Sequence, residues 1–334
     1  MKRVVEASAP ARIDLAGGTL DIWPLTVLVP GAVTVNVAVE LRATARVRPL
    51  AGSFASIRSR DRGARARFRV PLRPEDASGP LALLERLAAA FGVAEGFELT
   101  TRAEAPAGAG LGGSSALGVA AGAALARFTG ERIDRSALLR RVGNVEAVEI
   151  GVPTGNQDYL AALHGGLAAY HHGFDGTARE AIPPPRGLEE RLVLAYTGEP
   201  RGSGFSNWEM FRRTVEGDSG SRRRMRAIAR IAREMRAALR EGDLDEAGRL
   251  LGEEGRLRYG LAGSVATRRV LAADEAARGA GALGAKVCGA GGGGCVVALC
   301  REGRRAAVAR AMARAGARVL PLRIARRGLI VRGP

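Results

Sequence analysis

The segment Pro106-Ala107-Gly108-Ala109-Gly110-Leu111-Gly112-Gly113-Ser114-Ser115-Ala116 constrains this chain more than any other. It lies between Phe97–Thr101, which reads as a strand, and Ser114–Phe128, whose only helix breakers are Gly118 and Gly122. Glycine adopts backbone angles that other residues resist, so successive amide N–H groups can turn into one concavity. A helix that starts where the loop ends adds its unpaired N–H groups and the positive end of its dipole. Strand, glycine loop and helix in that order make an anion site, most naturally for phosphate. Ser114 and Ser115 fall at the helix start, where the sequence predicts one hydroxyl as a cap and the other as a contact to phosphate or Mg²⁺. No lysine follows the glycines, so the loop is not of the Walker type.

Two further segments carry polar or glycine-rich patterns. Lys286-Val287-Cys288-Gly289-Ala290-Gly291-Gly292-Gly293-Gly294-Cys295 separates two apolar runs. A plain hairpin needs only two such residues, so the excess predicts close approach of another backbone or a ligand. Arg12-Ile13-Asp14-Leu15-Ala16-Gly17-Gly18-Thr19-Leu20-Asp21 is a glycine-bent stretch whose Arg12 and Asp21 can face one cleft.

Around these segments, alternating Val33, Val35, Val37, Val39 and Leu41 predict a half-buried strand continuing toward Val47. Helical spacing marks 80–91 and 135–149, and Pro153-Thr154-Gly155-Asn156 stops the second. After the Pro183-Pro184-Pro185 break the sequence predicts a strand at 191–196, helices over 221–280, strands at 285–288 and 295–300, a helix at 304–315 and a strand at 318–324. The expected division is therefore 1–185 and 186–334, in keeping with a length of 334 residues and about 150 residues per domain.

A hydrophobic share of 46% excludes disorder, and no apolar run reaches the length of a membrane helix. Met1–Glu6 has no apolar stretch of signal-peptide type, so a cytoplasmic protein that engages no membrane is expected. Cys288, Cys295 and Cys300 are odd in number and have no zinc-like spacing with His164, His171 or His172, which makes them structural thiols. The adjacent pair His171-His172 is expected on opposite faces of a strand, and Trp23 and Trp208 in the core. The formal charge of +17 invites polyanions, but all basic residues except Lys2 and Lys286 are arginine and are spread along the chain. That bias argues against a specific nucleic-acid partner.

Taken together, the three segments resemble the three motifs of the GHMP kinase superfamily, named for galactokinase, homoserine kinase, mevalonate kinase and phosphomevalonate kinase. Ala9 through Asp21 matches the first, Pro106 through Ala116 the second and Gly289 through Gly294 the third, in the family's order and spacing over essentially the whole chain. The resemblance implies an α+β architecture: an N-terminal domain of the ribosomal protein S5 domain 2-like type and a ferredoxin-like C-terminal domain, with ATP and the acceptor in the cleft between them. It implies ATP contacts from Pro106, Gly108, Ala109, Gly110, Leu111, Gly112, Gly113, Ser114, Ser115 and Ala116, and Mg²⁺ held by Ser115 and Glu146. Glu149 is the rival metal ligand or a partner for an arginine. Asp158, after the Pro-x-Gly-x-x turn, corresponds to the base, with Arg12 beside it and the transferred phosphoryl group. Gly17, Gly18, Thr19, Asp21, Gln157, Gly291 and Gly292 correspond to the acceptor side.

Arg12, where mevalonate kinases tend to carry lysine, and Asp21 lean toward a sugar or sugar phosphate. Gly18-Thr19 replaces the Glu-His pair of galactokinases, and the Gly-Gly-x-x-Asp form, with Tyr196 through Arg201, is similar to the heptose-phosphate kinase and fucokinase branch. Arg201 has two readings, a contact to a phosphate on the acceptor or a solvated surface arginine. A mevalonate-type isoprenoid kinase and a catalytically silent sugar-sensing regulator are the alternatives, and a monomer and a homodimer both stay open.

Overall fold

The computed structural model describes residues 4–200, 203–261 and 263–333. Its N-terminal part runs β1 (Val5–Ala16), α1 (Leu25–Leu28), β2 (Val33–Pro49), β3 (Phe54–Ser59), β4 (Ala64–Arg69), α2 (Ala82–Ala90), β5 (Phe97–Ala103), α3 (Gly113–Thr129), α4 (Arg135–Ile150), α5 (Gln157–His164), β6 (Leu167–Gly173) and β7 (Gly176–Ile182). Then follow α6 (Leu188–Arg191), β8 (Leu192–Tyr196), α7 (Ser203–Val215), α8 (Ser219–Glu241), α9 (Leu244–Tyr259), α10 (Arg268–Gly279), β9 (Ala282–Val287), β10 (Cys295–Cys300), α11 (Arg305–Arg314), β11 (Arg318–Leu320) and β12 (Ile330–Arg332).

The alternating valines become β2, a strand of 17 residues, long enough to hold β1 along one edge and both β6 and β5 along the other. The resulting sheet runs β12-β1-β2-β5-β3-β4, with β6 and β7 beside the first half of β2. β1 slips register after Pro10 and again between Asp14 and Ala16. Proline cannot donate to the ladder, and the bulge places it where no donor is required. The second sheet has the order β11-β8-β10-β9, antiparallel throughout, and its βαββαβ succession is that of a ferredoxin-like domain. β11 stops at Leu320 instead of reaching 324 because Pro321 follows, and Ile324 makes only an isolated bridge to Val39. Residues 330–332 return to pair with β1, so the first sheet contains both early and late chain.

One apolar cluster fills the space between the sheets, with Val35 and Val37 of β2, Leu194 of β8, Ile231 and Met235 of α8 and Val297 of β10. The two mid-helix glycines of α3 are spacing devices. A Cβ at Gly118 would lie 2.7 Å from Val142, and one at Gly122 2.9 Å from the same side chain, so α4 can settle against α3 only where these side chains are missing. The three cysteines are buried thiols. His171 pairs with Glu180 on one face of β6, while His172 is enclosed by Thr34 and Thr177 on the other. Both tryptophans were expected in the core and neither is there: Trp23, in the turn before α1, is 74% exposed, and Trp208 stacks on Phe211 on an exposed side of α7. Among the described residues no helix is long and apolar enough to cross a membrane.

Candidate active site

The glycine loop closes one wall of a cavity of about 280 Å³. Gly108, Gly110 and Gly112 have φ of 68°, 76° and 67°, so three left-handed residues curl the chain from β5 into α3. Gly112 takes the N-cap position in that conformation and no side chain caps the helix, contrary to the cap expected from a serine. Both serines are drawn elsewhere. Ser114 Oγ donates to Glu146 Oε1 at 2.5 Å, Ser115 Oγ donates to Glu146 Oε2 at 2.9 Å, and Tyr159 donates its hydroxyl to Oε2 at 2.6 Å. The close α3–α4 packing at Gly118 and Gly122 is what brings Glu146 onto the first turn of α3. Burial pushes the Glu146 carboxyl above its ordinary range, against the three hydroxyl donors that favour its charged form. Glu149, one turn on, instead meets Arg86 at 3.0 Å.

Asp158 stands in the first turn of α5, facing the loop. Arg12 Nε and Nη2 lie 2.7 and 2.6 Å from Asp158 Oδ1, Arg12 Nη1 donates to Gly110 O at 2.7 Å, and the Arg12 amide donates to Leu111 O at 2.9 Å. One guanidinium therefore ties the phosphate loop to the carboxylate. Burial works against its charge, but Asp158 and Asp14 outweigh that and hold it above the ordinary arginine range. A Cβ at Gly112 would sit 3.0 Å from Asp158 Cγ. Gly112→Ala is accordingly expected to combine left-handed strain of about 1–2 kcal/mol with a push on Asp158. Turnover should fall at least about tenfold, a misplacement effect of the kind one ångström produces; full activity in a steady-state assay would remove the loop's grip on Asp158.

Asp21 also lines the cavity and is buried. Its Oδ2 accepts from the Gln157 amide at 2.9 Å and its Oδ1 from Gln157 Nε2 at 3.4 Å. Gly155 admits it, since a Cβ there would lie 2.0 Å from Oδ2. Burial raises the Asp21 carboxyl to about 6. Gly18 and Thr19 also line the cavity, but Gly17 does not: its φ of 86° serves the turn, packed against Val33. Ala116 likewise lies inside α3 and off the wall.

The second glycine run is explained mostly by backbone approach. Cys295 donates its amide to Ala109 O at 2.8 Å, and a Cβ at Gly294 would be 2.7 Å from the same oxygen, so this run backs the phosphate loop. Gly289 and Ala290 reach the cavity, whereas Gly291 and Gly292 face Val265, with the Gly292 amide donating to Val265 O at 2.9 Å. Sequence reasoning missed Asp61 and Arg62, which enter the wall from the β3–β4 turn; Asp61 is held by the Ala103 amide at 3.1 Å. Only their sheet register places them there. Arg201 lies outside the described residues.

The chain matches the GHMP kinases N terminal domain over residues 80–166 and the GHMP kinases C terminal domain over 235–318. It is 31% identical over 238 residues to a mevalonate kinase of Pyrococcus horikoshii, covering 70% of this chain and 68% of that one. To a D-glycero-alpha-D-manno-heptose 7-phosphate kinase of Campylobacter jejuni it is 29% identical over 205 residues, 59% of each. The fold superimposes on Lactococcus lactis galactokinase complexed with galactose with a TM-score of 0.83 at 21% identity, covering 98% of this chain and 95% of the other. With both domains matched and the loop, carboxylates and arginine gathered on one cavity, the chain belongs to the GHMP kinases, two-domain α+β phosphotransferases with an alcohol group as acceptor.

Proposed function

We propose that this chain transfers the γ-phosphoryl group of ATP, as its Mg²⁺ complex, to a hydroxyl of a sugar or sugar phosphate. Phosphoryl transfer needs charge neutralisation and in-line positioning more than covalent help. The curled loop at 108–112 and the first turn of α3 offer backbone N–H groups to phosphate oxygens. A buried carboxylate with two serine hydroxyls is the hard oxygen set that suits Mg²⁺ supplemented by phosphate oxygens, and Glu146 with Ser115 would hold it. When bound, Mg²⁺ supplies charge to the β- and γ-phosphates. Asp158 accepts the proton of the attacking hydroxyl, and Arg12 keeps that carboxylate aimed while presenting positive charge where the phosphoryl group passes.

Asp21 carries the sugar reading. A buried carboxylate open to the cavity accepts hydrogen bonds from neighbouring hydroxyls, the contact a polyol provides. Mevalonate is the second reading, favoured by the Pyrococcus horikoshii relative. Against it, mevalonate is itself a carboxylate and would face Asp21, while the cations among the described lining residues are Arg12, spent on Asp158, and Arg62, which donates to Pro80 O. A coupled ADP-release assay with D-galactose, L-fucose, heptose phosphates and mevalonate tests the choice. ADP release with a sugar and none with mevalonate is the expected result; turnover of mevalonate alone would overturn it.

A further inference from the structure

Four charged side chains beside the cavity are wholly enclosed, and none of them is given a contact to nucleotide, metal or acceptor above. They are Asp14 of β1, Glu254 and Arg258 of α9, and Lys286 of β9, each at 0% exposure. Lys286 Nζ lies 3.1 Å from Asp14 Oδ2 and 2.9 Å from Glu254 Oε2; Arg258 Nη2 lies 2.6 Å from Glu254 Oε1 and 4.0 Å from Asp14 Oδ2. Two cations and two anions, one from each sheet and two from α9, thus balance inside the protein. Apolar side chains of the same volume often serve stability as well or better, so such a cluster calls for a reason beyond folding.

Two observations supply one. The first is compositional. Lys286 and Lys2 are the only lysines in a chain that uses arginine at all its other basic positions. An ammonium is retained at 286 because its compact head fits between two carboxylates, where a planar fork would not. The root of the same side chain is closely packed as well, since a Cβ at Gly255 would lie 3.0 Å from Lys286 Cβ.

The second observation is where Arg258 spends its remaining donors. Nη2 donates to Gly18 O at 2.9 Å and Nη1 to Thr19 Oγ1 at 3.4 Å. These two residues carry the turn that ends at Asp21. Thr19 has a φ of 79°, a left-handed backbone that a β-branched residue does not adopt unassisted. Gly18 is bare for the same contact: a Cβ there would meet Asp14 Oδ2 at 2.3 Å and Arg258 Nη2 at 3.1 Å.

We propose that Arg258, held in place by Glu254 and Lys286, is the positioning residue that braces the 17–21 turn from the second domain and so fixes Asp21 toward the acceptor. The brace sets acceptor affinity through pre-organisation, because a loose turn would have to be ordered each time an acceptor binds. This rests on the reading of Asp21 as an acceptor contact.

Two variants test it in a Trp208→Phe background, where Trp23, at the end of the turn, becomes the sole tryptophan. Arg258→Lys keeps the charge but loses the fork. Glu254→Gln with Lys286→Met removes one charge of each sign and leaves Arg258 unsupported. Without substrate, amide exchange over 17–22 is expected to quicken about tenfold or more and Trp23 anisotropy to fall, with protection of α9 and β9 retained. With the productive acceptor among D-galactose, L-fucose, heptose 7-phosphate and mevalonate, its KM rises about tenfold while KM for ATP stays within about twofold. A folded variant with unchanged exchange and unchanged acceptor KM overturns the proposal. Failure of both variants to fold overturns it as well, since the charges would then serve the fold alone. A loosened turn with every KM unchanged supports the brace and removes Asp21 from the acceptor, which separates the two readings.

Discussion

Asp158→Asn is expected to lower kcat by roughly 10²–10⁴, the range a positioned general base contributes, while leaving ATP affinity within about twofold. The amide has the same shape, so the 2.7 and 2.6 Å contacts from Arg12 to Oδ1 can persist as hydrogen bonds, and the phosphate loop that Arg12 holds through Gly110 O stays in place. What is lost is a charge and a basic lone pair beside the attacking hydroxyl. Nucleotide binding by calorimetry and ADP release by steady-state assay separate the two effects. A kcat within about threefold of the parent would take the base assignment away from Asp158, and a matching loss of ATP affinity would make the carboxylate a scaffold for the loop.

The parts of this site that were legible in the sequence are those with a local backbone cause. Gly108, Gly110 and Gly112 had to be glycine because their φ values are left-handed, and β10 fell at 295–300 as predicted because apolar residues run unbroken between glycines and a charged turn. The pairing of Arg12 with Asp158 spans 146 residues of sequence and was reachable only through family resemblance. Where the reading failed, a tertiary contact had overridden a local rule. Ser114 and Ser115 are good caps in isolation, yet a buried carboxylate on the neighbouring helix is the better acceptor and Gly112 caps by conformation alone. Gly291 and Gly292 looked like a ligand surface, but Val265 needs the room at Gly291 and takes the amide of Gly292. The buried four-charge cluster joins residues as far apart as 14 and 286, and its one trace in the sequence was a lysine amid arginines.

Asp21→Asn is expected to make the protein more stable and a poorer kinase at once. The carboxyl titrates near 6 in the folded chain, raised by burial from about 3.8. A raised carboxyl holds its proton more tightly folded than unfolded, so its favourable contribution is complete below about pH 4 and is lost as pH climbs through about 6. Near neutrality the buried charge then costs on the order of 3 kcal/mol, at about 1.4 kcal/mol per pH unit. Asparagine keeps an oxygen for the Gln157 amide and carries no charge. Its Tm should therefore exceed the parent's by several degrees at about pH 7.5, and the difference should shrink toward zero at about pH 4. Over the same change the acceptor's KM should rise roughly ten- to a hundredfold, the loss of a charged hydrogen-bond acceptor worth about 1.5–3 kcal/mol, with KM for ATP little altered. The parent enzyme should lose acceptor kcat/KM as pH falls below about 6, and the variant should not. A carboxylate kept for the fold would behave the other way: its amide would melt earlier at neutral pH and bind the acceptor no worse. Thermal scans at the two pH values beside acceptor titrations tell these cases apart, because only a group retained for the substrate carries a stability cost that its removal relieves.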